Sequence, residues 1–264
     1  MTILQHQIPL VNVLSQLPPG YPRDTIVLSS SALLAAILLL AVGRLRNVGV
    51  LNSIAARKIV HVSCAPLWVI TWTFYTNDTT SRYYAAALPM TVLICVIFKL
   101  GGLNRMVGRE KVMAPMGDGG GESSKGESEG MEGIAWYLVM MMSVALLGWR
   151  KEVAGVVAIS MMSFGDGVAE VVGRKWGDWG RWWGEDKKGK SFAGTAAFVV
   201  AGWIGSLGLL KVLNALGMQA CNGVDNVWQI GVIAAVCAFV ELIPGINDNI
   251  AVPAVAALLT KFLH

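Results

Sequence analysis

The sequence predicts an all-α, polytopic integral membrane protein with seven to eight transmembrane helices. Of its 264 residues, 55% are hydrophobic and only 14% are charged, whereas soluble domains average about a quarter charged residues. The apolar residues also form continuous runs, and about 20 such residues cross a bilayer as a helix. A membrane β-barrel is not expected, because its strands would alternate polar and apolar residues.

Eight apolar runs define the elements in chain order. The expected spans are 25–43, 59–75, 83–100, 133–149, 152–173, 191–213, 227–243 and 249–263. They form one membrane domain over residues 25–264, which follows an N-terminal segment at 1–24. The stretch between the third and fourth spans is rich in Gly, Ser and Glu, and this composition predicts a disordered loop at about 114–131.

The distribution of basic residues predicts how the spans are oriented. The loops 44–58, 99–132 and 174–190 hold 15 of the 21 Lys and Arg residues, and the connections on the opposite side hold five. Positively charged loops stay on the cytosolic side or its organellar equivalent. We therefore expect these three loops on that side and the N-terminus on the other. The net charge of +4 is modest, and we see no signature of nucleic-acid binding.

Two carboxylates interrupt the fifth apolar run. Asp166 and Glu170 are four residues apart, so on a helix they lie on one face. Ionisable groups within a span are costly, and they mark a functional site by default. The alternative is that Asp166 only holds helices together by pairing with a cation.

Three further polar clusters fall on the same predicted side of the membrane. They open the second span, precede the sixth span and follow the seventh. Their members are Arg57, Lys58 and His61; Lys190 and Ser191; and Glu241, Asp248 and Asn249. Each has a local explanation, as an interfacial anchor or a helix cap. The convergence of four clusters on one side nevertheless favours a single site.

The residue types in these clusters point to phosphate chemistry. Mg²⁺ is usually bound by one or two carboxylates together with substrate phosphates, and Lys and Arg complement phosphate oxygens. Together they predict phosphoryl or nucleotidyl transfer. A nucleotide site of the Walker type is not expected, because KKGKS at 187–191 lacks the required upstream Gly.

Four motifs lie at these clusters: RKIVH at 57–61, GDGVAEVVGRKWG at 165–177, KSFAG at 190–194 and ELIPGINDNIAVP at 241–253. Together they resemble the polyprenol kinase family, and most closely its phytol and farnesol kinases. One departure is Asn247, since relatives commonly have Asp-Asp-Asn where this chain has Asn247-Asp248-Asn249.

The resemblance implies a membrane enzyme that transfers the γ-phosphate of CTP to an isoprenoid alcohol such as phytol, geranylgeraniol or farnesol. The carboxylates of the clusters predict Mg²⁺ as the cofactor. The implied location is a chloroplast or cyanobacterial membrane, with the endoplasmic reticulum as an alternative.

The clusters and the resemblance together suggest roles for individual residues. The expected catalytic residues are Asp166, His61 and Asp248, with His61 or a carboxylate accepting the hydroxyl proton. The expected Mg²⁺ ligands are Asp166, Glu170, Glu241 and Asp248. The residues expected to bind the nucleotide phosphates are Arg57, Lys58, Arg174, Lys175, Lys190, Ser191 and Asn249.

Two other functions stay open at this point. A CTP-dependent cytidylyltransferase acting on phosphatidate would use the same nucleotide, metal and kind of substrate. A cation-coupled transporter would use Asp166 and Glu170 as a relay. Transporters often carry internal repeats, and we find none in this sequence, so transport is the more remote alternative.

Overall fold

The computed structural model of the protein describes residues 23–100, 124–150, 152–177, 180–182, 190–218 and 227–263. Within these ranges the chain is helical, and the β-structure there is one isolated bridge between Arg181 and Ser191. The predicted all-α membrane class is confirmed.

We number the α-helices of the described ranges in chain order. They are α1 (Arg23–Asn47), α2 (Ser53–Thr71), α3 (Ser81–Leu100), α4 (Ser124–Leu147), α5 (Val153–Ser160), α6 (Gly167–Trp176), α7 (Phe192–Ala215), α8 (Val227–Glu241) and α9 (Asp248–Leu263). A 3₁₀ turn at Trp72–Phe74 extends α2, and a π-helical segment at Met161–Asp166 joins α5 to α6.

Five of these elements are long and apolar enough to cross a membrane. They are α1, α2 with its 3₁₀ turn, α3, the continuous rod Val153–Trp176, and α7. Two shorter apolar helices lie at Met131–Leu147 and Val227–Glu241. The five and the two together agree with the predicted seven, and α9, with 16 residues, follows the predicted eighth run.

The predicted disordered loop lies mostly outside the described residues, which stop at Leu100 and resume at Ser124. Its last residues differ from the expectation, because α4 already begins at Ser124. Extending an existing helix is far less costly than nucleating one, so the apolar helix continues into the polar stretch.

The helices alternate in direction, and side-chain contacts join their ends. At the end opposite the predicted site, Asp24 at the start of α1 accepts hydrogen bonds from Thr76, which precedes α3, and from Ser81 at the start of α3. Lys261 near the end of α9 pairs with Glu152 before α5, with 2.9 Å between Nζ and Oε2. One end of the bundle is therefore built from the starts of α1, α3 and α5 and the end of α9.

The rod Val153–Trp176 lies in the interior of the bundle, where it is largely buried against α7 and α9. Two glycines allow its close packing around Asp166. A Cβ on Gly165 would lie 2.7 Å from the ring of Phe198 on α7, and one on Gly167 would overlap Val62 on α2. The π-helical segment Met161–Asp166, which contains Gly165, was not expected from the sequence. Such segments are rare and frequently occur at functional sites.

Candidate active site

The four polar clusters predicted from the sequence meet at one end of the bundle. The start of α2 brings Arg57, Lys58 and His61 to the rod that carries Asp166 and Glu170. The segment before α7 brings Lys190 to the turn between α8 and α9. Residues far apart in the chain thus form one continuous set of charges.

Glu170 lies at the centre of a group of cations. Its Oε1 is 2.9 Å from Arg57 Nη2 and 2.9 Å from Arg174 Nη2, and its Oε2 contacts Lys58 Nζ. Lys58 also reaches towards Asp166, with 3.4 Å between Nζ and Oδ2. Both oxygens of Glu170 are thus engaged by side chains, and this residue positions Arg57 and Lys58 beside Asp166.

His61 holds the carboxylate of Asp166 in place. Its Nε2 lies 3.0 Å from the carbonyl oxygen of Met162 and 3.2 Å from Asp166 Oδ2. The carbonyl oxygen of Met162 and the carboxylate oxygen of Asp166 are both hydrogen-bond acceptors, so Nε2 carries a hydrogen and donates it. That nitrogen is therefore not placed to accept a proton from a substrate.

Tyr137 supports His61 and was not among the predicted residues. Its hydroxyl donates a 2.8 Å hydrogen bond to the backbone carbonyl of His61, and the two ring centroids are 4.5 Å apart. The sequence could have pointed to Tyr137, because it is a tyrosine within an apolar run and a buried Tyr hydroxyl usually has a hydrogen-bond partner.

Lys190 bridges the two remaining carboxylates. Its Nζ is 2.7 Å from Glu241 Oε1 and 2.8 Å from Asp248 Oδ2. Partial burial works against the charged ammonium, but the carboxylates of Glu241 and Asp248 outweigh it and raise the pKa of Lys190 above its usual range. Lys190 is therefore a permanent cation at neutral pH.

Three of the four predicted metal ligands come together. Asp166, Glu241 and Asp248 each offer a carboxylate oxygen, and these oxygens lie within 4.8 Å of one another. A set of hard oxygen donors suits Mg²⁺, and Glu241 is only 7% exposed on its side chain. The residues present therefore fit a divalent cation. Glu170 is not in this group, because its oxygens face the cations described above.

The other predicted phosphate-binding residues have varied placements. Ser191 caps α7, where its Oγ accepts a 3.1 Å hydrogen bond from the backbone of Gly194. The amide of Asn249 donates to the carbonyl of Gly133 over 3.3 Å. The ammonium of Lys175 lies 4.8 Å from the ring centroid of Trp176. Arg174 joins the site through Glu170, whereas no described contact joins Lys175 to it.

A cavity of about 470 Å³ opens onto this charged end, a volume within the about 300–1,000 Å³ typical of small-molecule sites. Its polar end includes Lys58, Asp166 and Asp248, and its walls come from α1, α2, α3 and α4. These walls are mostly apolar and include Leu38, Trp68, Leu88, Val92, Ile134 and Met141. The cavity thus joins a set of charges to an apolar interior.

Comparison with known proteins places the chain among curated plant relatives. It is 26% identical to the probable phytol kinase 1, chloroplastic, of Glycine max, over 93% of this chain and 82% of the relative. It is 31% identical to the probable phytol kinase, chloroplastic, of Triticum aestivum, over 79% of this chain and 66% of the relative. It is 23% identical to the farnesol kinase, chloroplastic, of Arabidopsis thaliana, over 82% and 67% respectively.

No protein-family model matches the chain, and no solved structure matches it. The similarity to the named relatives nevertheless extends over most of its length. It agrees with the resemblance drawn from the motifs that build the charged end of the cavity. The chain belongs to the phytol kinase and farnesol kinase family.

Proposed function

We propose that this protein is a membrane kinase that transfers the γ-phosphate of CTP to an isoprenoid alcohol and releases the prenyl monophosphate and CDP. The observation that carries the proposal is the continuity between the charged cluster and the apolar cavity. An isoprenoid alcohol has the matching form, a long apolar chain that ends in one hydroxyl.

The apolar walls would bind the prenyl chain and exclude water from it. Leu34 on α1 lines the cavity and is still 41% exposed, so the cavity is open beside α1. The cavity therefore communicates with the lipid-facing surface, from which a membrane-dissolved alcohol can enter. The hydroxyl of the alcohol would then lie at the charged end, beside Lys58 and Asp166.

The cations would bind the triphosphate and orient the transferred group. Arg57 and Lys58 are held by Glu170, and Lys190 by Glu241 and Asp248. Phosphoryl transfer depends mostly on such positioning and on neutralising the charge of the transition state. The alcohol oxygen forms a bond to the γ-phosphorus, and the bond from that phosphorus to the β–γ bridging oxygen breaks. The hydroxyl proton passes to the carboxylate of Asp166.

Asp166, Glu241 and Asp248 would hold Mg²⁺, which when bound neutralises the phosphate oxygens and draws charge from the leaving group. Asp166 would belong both to this set and to the wall of the cavity. Lys190 lies between two members of the set, so its ammonium would move towards the phosphates when the carboxylates bind a cation.

CTP as the donor is supported by the family resemblance of the four motifs. The location is supported by the names of the relatives, which are chloroplastic proteins, and by the apolar helices. They indicate a multi-pass protein of a chloroplast membrane.

The test is a labelling experiment with two forms of CTP. Purified protein in detergent with Mg²⁺ would be given phytol, geranylgeraniol, farnesol, diacylglycerol or phosphatidate, with the label on either the α- or the γ-phosphate. We expect the γ-label, and not the α-label, in the phosphate of a prenyl alcohol. Replacing CTP with labelled UTP, ATP or GTP would define the donor.

Entry of the α-label into a lipid acceptor would instead indicate a cytidylyltransferase. Failure to label any prenyl alcohol from all four nucleotides would overturn the kinase proposal.

A further inference from the structure

The far end of the cavity suggests a specificity determinant, and this inference rests on the proposed function. We propose that Ser31 on α1 and Thr71 on α2 form the floor of the cavity and limit the length of prenyl chain that the site accepts. The depth above this floor matches a C20 alcohol.

The depth of the cavity follows from the residues of α2 that line it. Lys58 and Thr71 both line it, Lys58 at the charged end and Thr71 near the end of the helix. His61, Cys64 and Trp68 line it at positions between them. Thr71 is thirteen positions after Lys58, and at about 1.5 Å per position the cavity runs about 20 Å along α2.

Helix α1 gives the same floor from the opposite direction. The cavity is lined by Ser31, Leu34, Ala35, Leu38 and Leu39, a spacing that forms one helical face. Because α1 runs antiparallel to α2, Leu39 lies nearer the charged end and Ser31 farthest from it. The opposite face of α1 carries Leu33, Ile37 and Leu40, which are exposed.

The two floor residues act through their small size. Ser31 and Thr71 are buried, and each hydroxyl donates to a carbonyl of its own helix, Ser31 to Val27 over 2.7 Å and Thr71 to Trp68 over 2.6 Å. The donor of each hydroxyl is thus used within its own helix, and neither side chain needs an acceptor in the ligand. A larger residue at either position would shorten the cavity.

The available length discriminates between prenyl alcohols. An extended chain advances about 1.2 Å per bond, so the main chain of a C20 alcohol spans about 19 Å and that of a C15 alcohol about 14 Å. The longer alcohol fills the cavity from Lys58 to Thr71. The shorter one leaves the region above Ser31 empty and forgoes the apolar burial there.

The principal test is Ser31→Phe, with Ser29→Phe as the matched control. Ser29 lies on the same helix and makes the same type of hydrogen bond, to the carbonyl of Thr25, but it is exposed. For each variant, kcat/KM would be measured with geranylgeraniol and with farnesol. We expect the C20-to-C15 ratio to fall at least tenfold in Ser31→Phe and to stay within twofold of the unmodified protein in Ser29→Phe.

A second variant, Thr71→Leu, changes the floor from α2 and should lower the same ratio. If Ser31→Phe does not fold in detergent, Thr71→Leu decides the outcome. A ratio within twofold of the unmodified protein in a folded floor variant would overturn the assignment of the floor.

A binding measurement separates this inference from the kinase proposal. Cys64 lies on the cavity wall between Lys58 and Thr71, and in a background without Cys95, Cys221 and Cys237 its alkylation by N-ethylmaleimide can be followed alone. When Ser31 is retained, we expect geranylgeraniol to slow the alkylation of Cys64 at least fivefold. In Ser31→Phe, we expect geranylgeraniol to give no such protection.

If geranylgeraniol protects Cys64 but no prenyl alcohol is phosphorylated, the floor assignment stands and the kinase proposal is wrong. Phosphorylation of C20 alcohols without a change of ratio in the floor variants would retain the kinase and reject the floor.

Discussion

Asp166 is the residue on which the proposed chemistry depends most. Its carboxylate lies close to those of Glu241 and Asp248. It also contacts Lys58 and His61 and lines the cavity. We expect Asp166→Asn to lower kcat for prenyl alcohol phosphorylation at least about a hundredfold, the scale of losing one preorganised charge-stabilising group. Initial rates at saturating CTP and Mg²⁺ measure this effect.

The matched control is Glu152→Gln, which removes a carboxylate that pairs with Lys261 at the opposite end of the bundle. Its rate should equal that of the unmodified protein. The thermal transition of both variants in detergent reports whether they are folded. A folded Asp166→Asn protein with near-normal turnover would contradict the role given to Asp166.

Glu241 and Glu170 should respond differently to neutralisation, because they have different partners. Glu241 belongs to the oxygen group that suits Mg²⁺, and Glu170 binds Arg57, Lys58 and Arg174. We expect Glu241→Gln to raise the Mg²⁺ concentration for half-maximal activity at least about tenfold, because even the loss of a residue that only supports a metal ligand lowers metal affinity by about that factor. Glu170→Gln should instead raise KM for CTP and leave the Mg²⁺ requirement within twofold. Mg²⁺ titrations at several CTP concentrations separate the two effects, and an identical Mg²⁺ shift in both variants would argue against this division.

The clusters themselves could be predicted from the sequence, but the pairing within them could not. Charge alternation along the loops placed Lys58, Asp166, Lys190 and Asp248 at one side of the membrane, and the structure joins them there. The i, i+4 spacing of Asp166 and Glu170 predicts a shared helix face. It does not predict that α2 meets that face with Arg57 and Lys58, because neighbouring helices are chosen by packing. Glu170 therefore looked like a ligand although its oxygens are occupied by cations.

At the scale of the element, the rod Val153–Trp176 shows how packing shapes the site. Gly165 lies in the π-helical segment, and a Cβ there would be 2.7 Å from the ring of Phe198. We expect Gly165→Ala to destabilise the protein by about 1–3 kcal/mol, the usual cost of overpacking a buried contact. Thermal unfolding in detergent would show a lower midpoint. The double variant Gly165→Ala with Phe198→Leu should recover part of the loss.

Gly208→Ala provides the control for the previous change. Gly208 lies on α7, and a Cβ there meets nothing within 4 Å. Alanine is the better helix former by about 1 kcal/mol, so this variant should be unchanged or slightly more stable. Equal destabilisation by both substitutions would point to a general effect of added side chains rather than to the contact with Phe198.

The element boundaries followed from hydrophobicity, whereas the irregularity within the rod did not. Continuous apolar runs predicted the spans because the bilayer imposes their length. The change from α- to π-helical hydrogen bonding between Ser160 and Gly167 occurs where Val62 on α2 and Phe198 on α7 approach the rod. Glycines on both sides of Asp166 indicated a close approach, but they do not specify the helix type.

At the scale of the whole molecule, the charges at the site end are balanced. Four cations, Arg57, Lys58, Arg174 and Lys190, pair with four carboxylates, Asp166, Glu170, Glu241 and Asp248. A nucleoside triphosphate is highly charged and does not cross the hydrocarbon core unaided. Under the proposed function the nucleotide reaches this end from the adjoining aqueous compartment, so we expect the site end to face the compartment that contains the nucleotide.

Single-cysteine labelling tests this orientation in sealed vesicles. Val48 follows α1 at the site end and Ile243 follows α8 at the same end, whereas Asn77 lies between α2 and α3 at the opposite end, and all three are exposed. In a background without native cysteines, Val48→Cys and Ile243→Cys should react with an impermeant maleimide from one side of the vesicle. Asn77→Cys should react only from the other side, or after detergent opens the vesicle. Reaction of Val48→Cys and Asn77→Cys from the same side would contradict the alternating helix order, and with it the assembly of the four clusters at one membrane face.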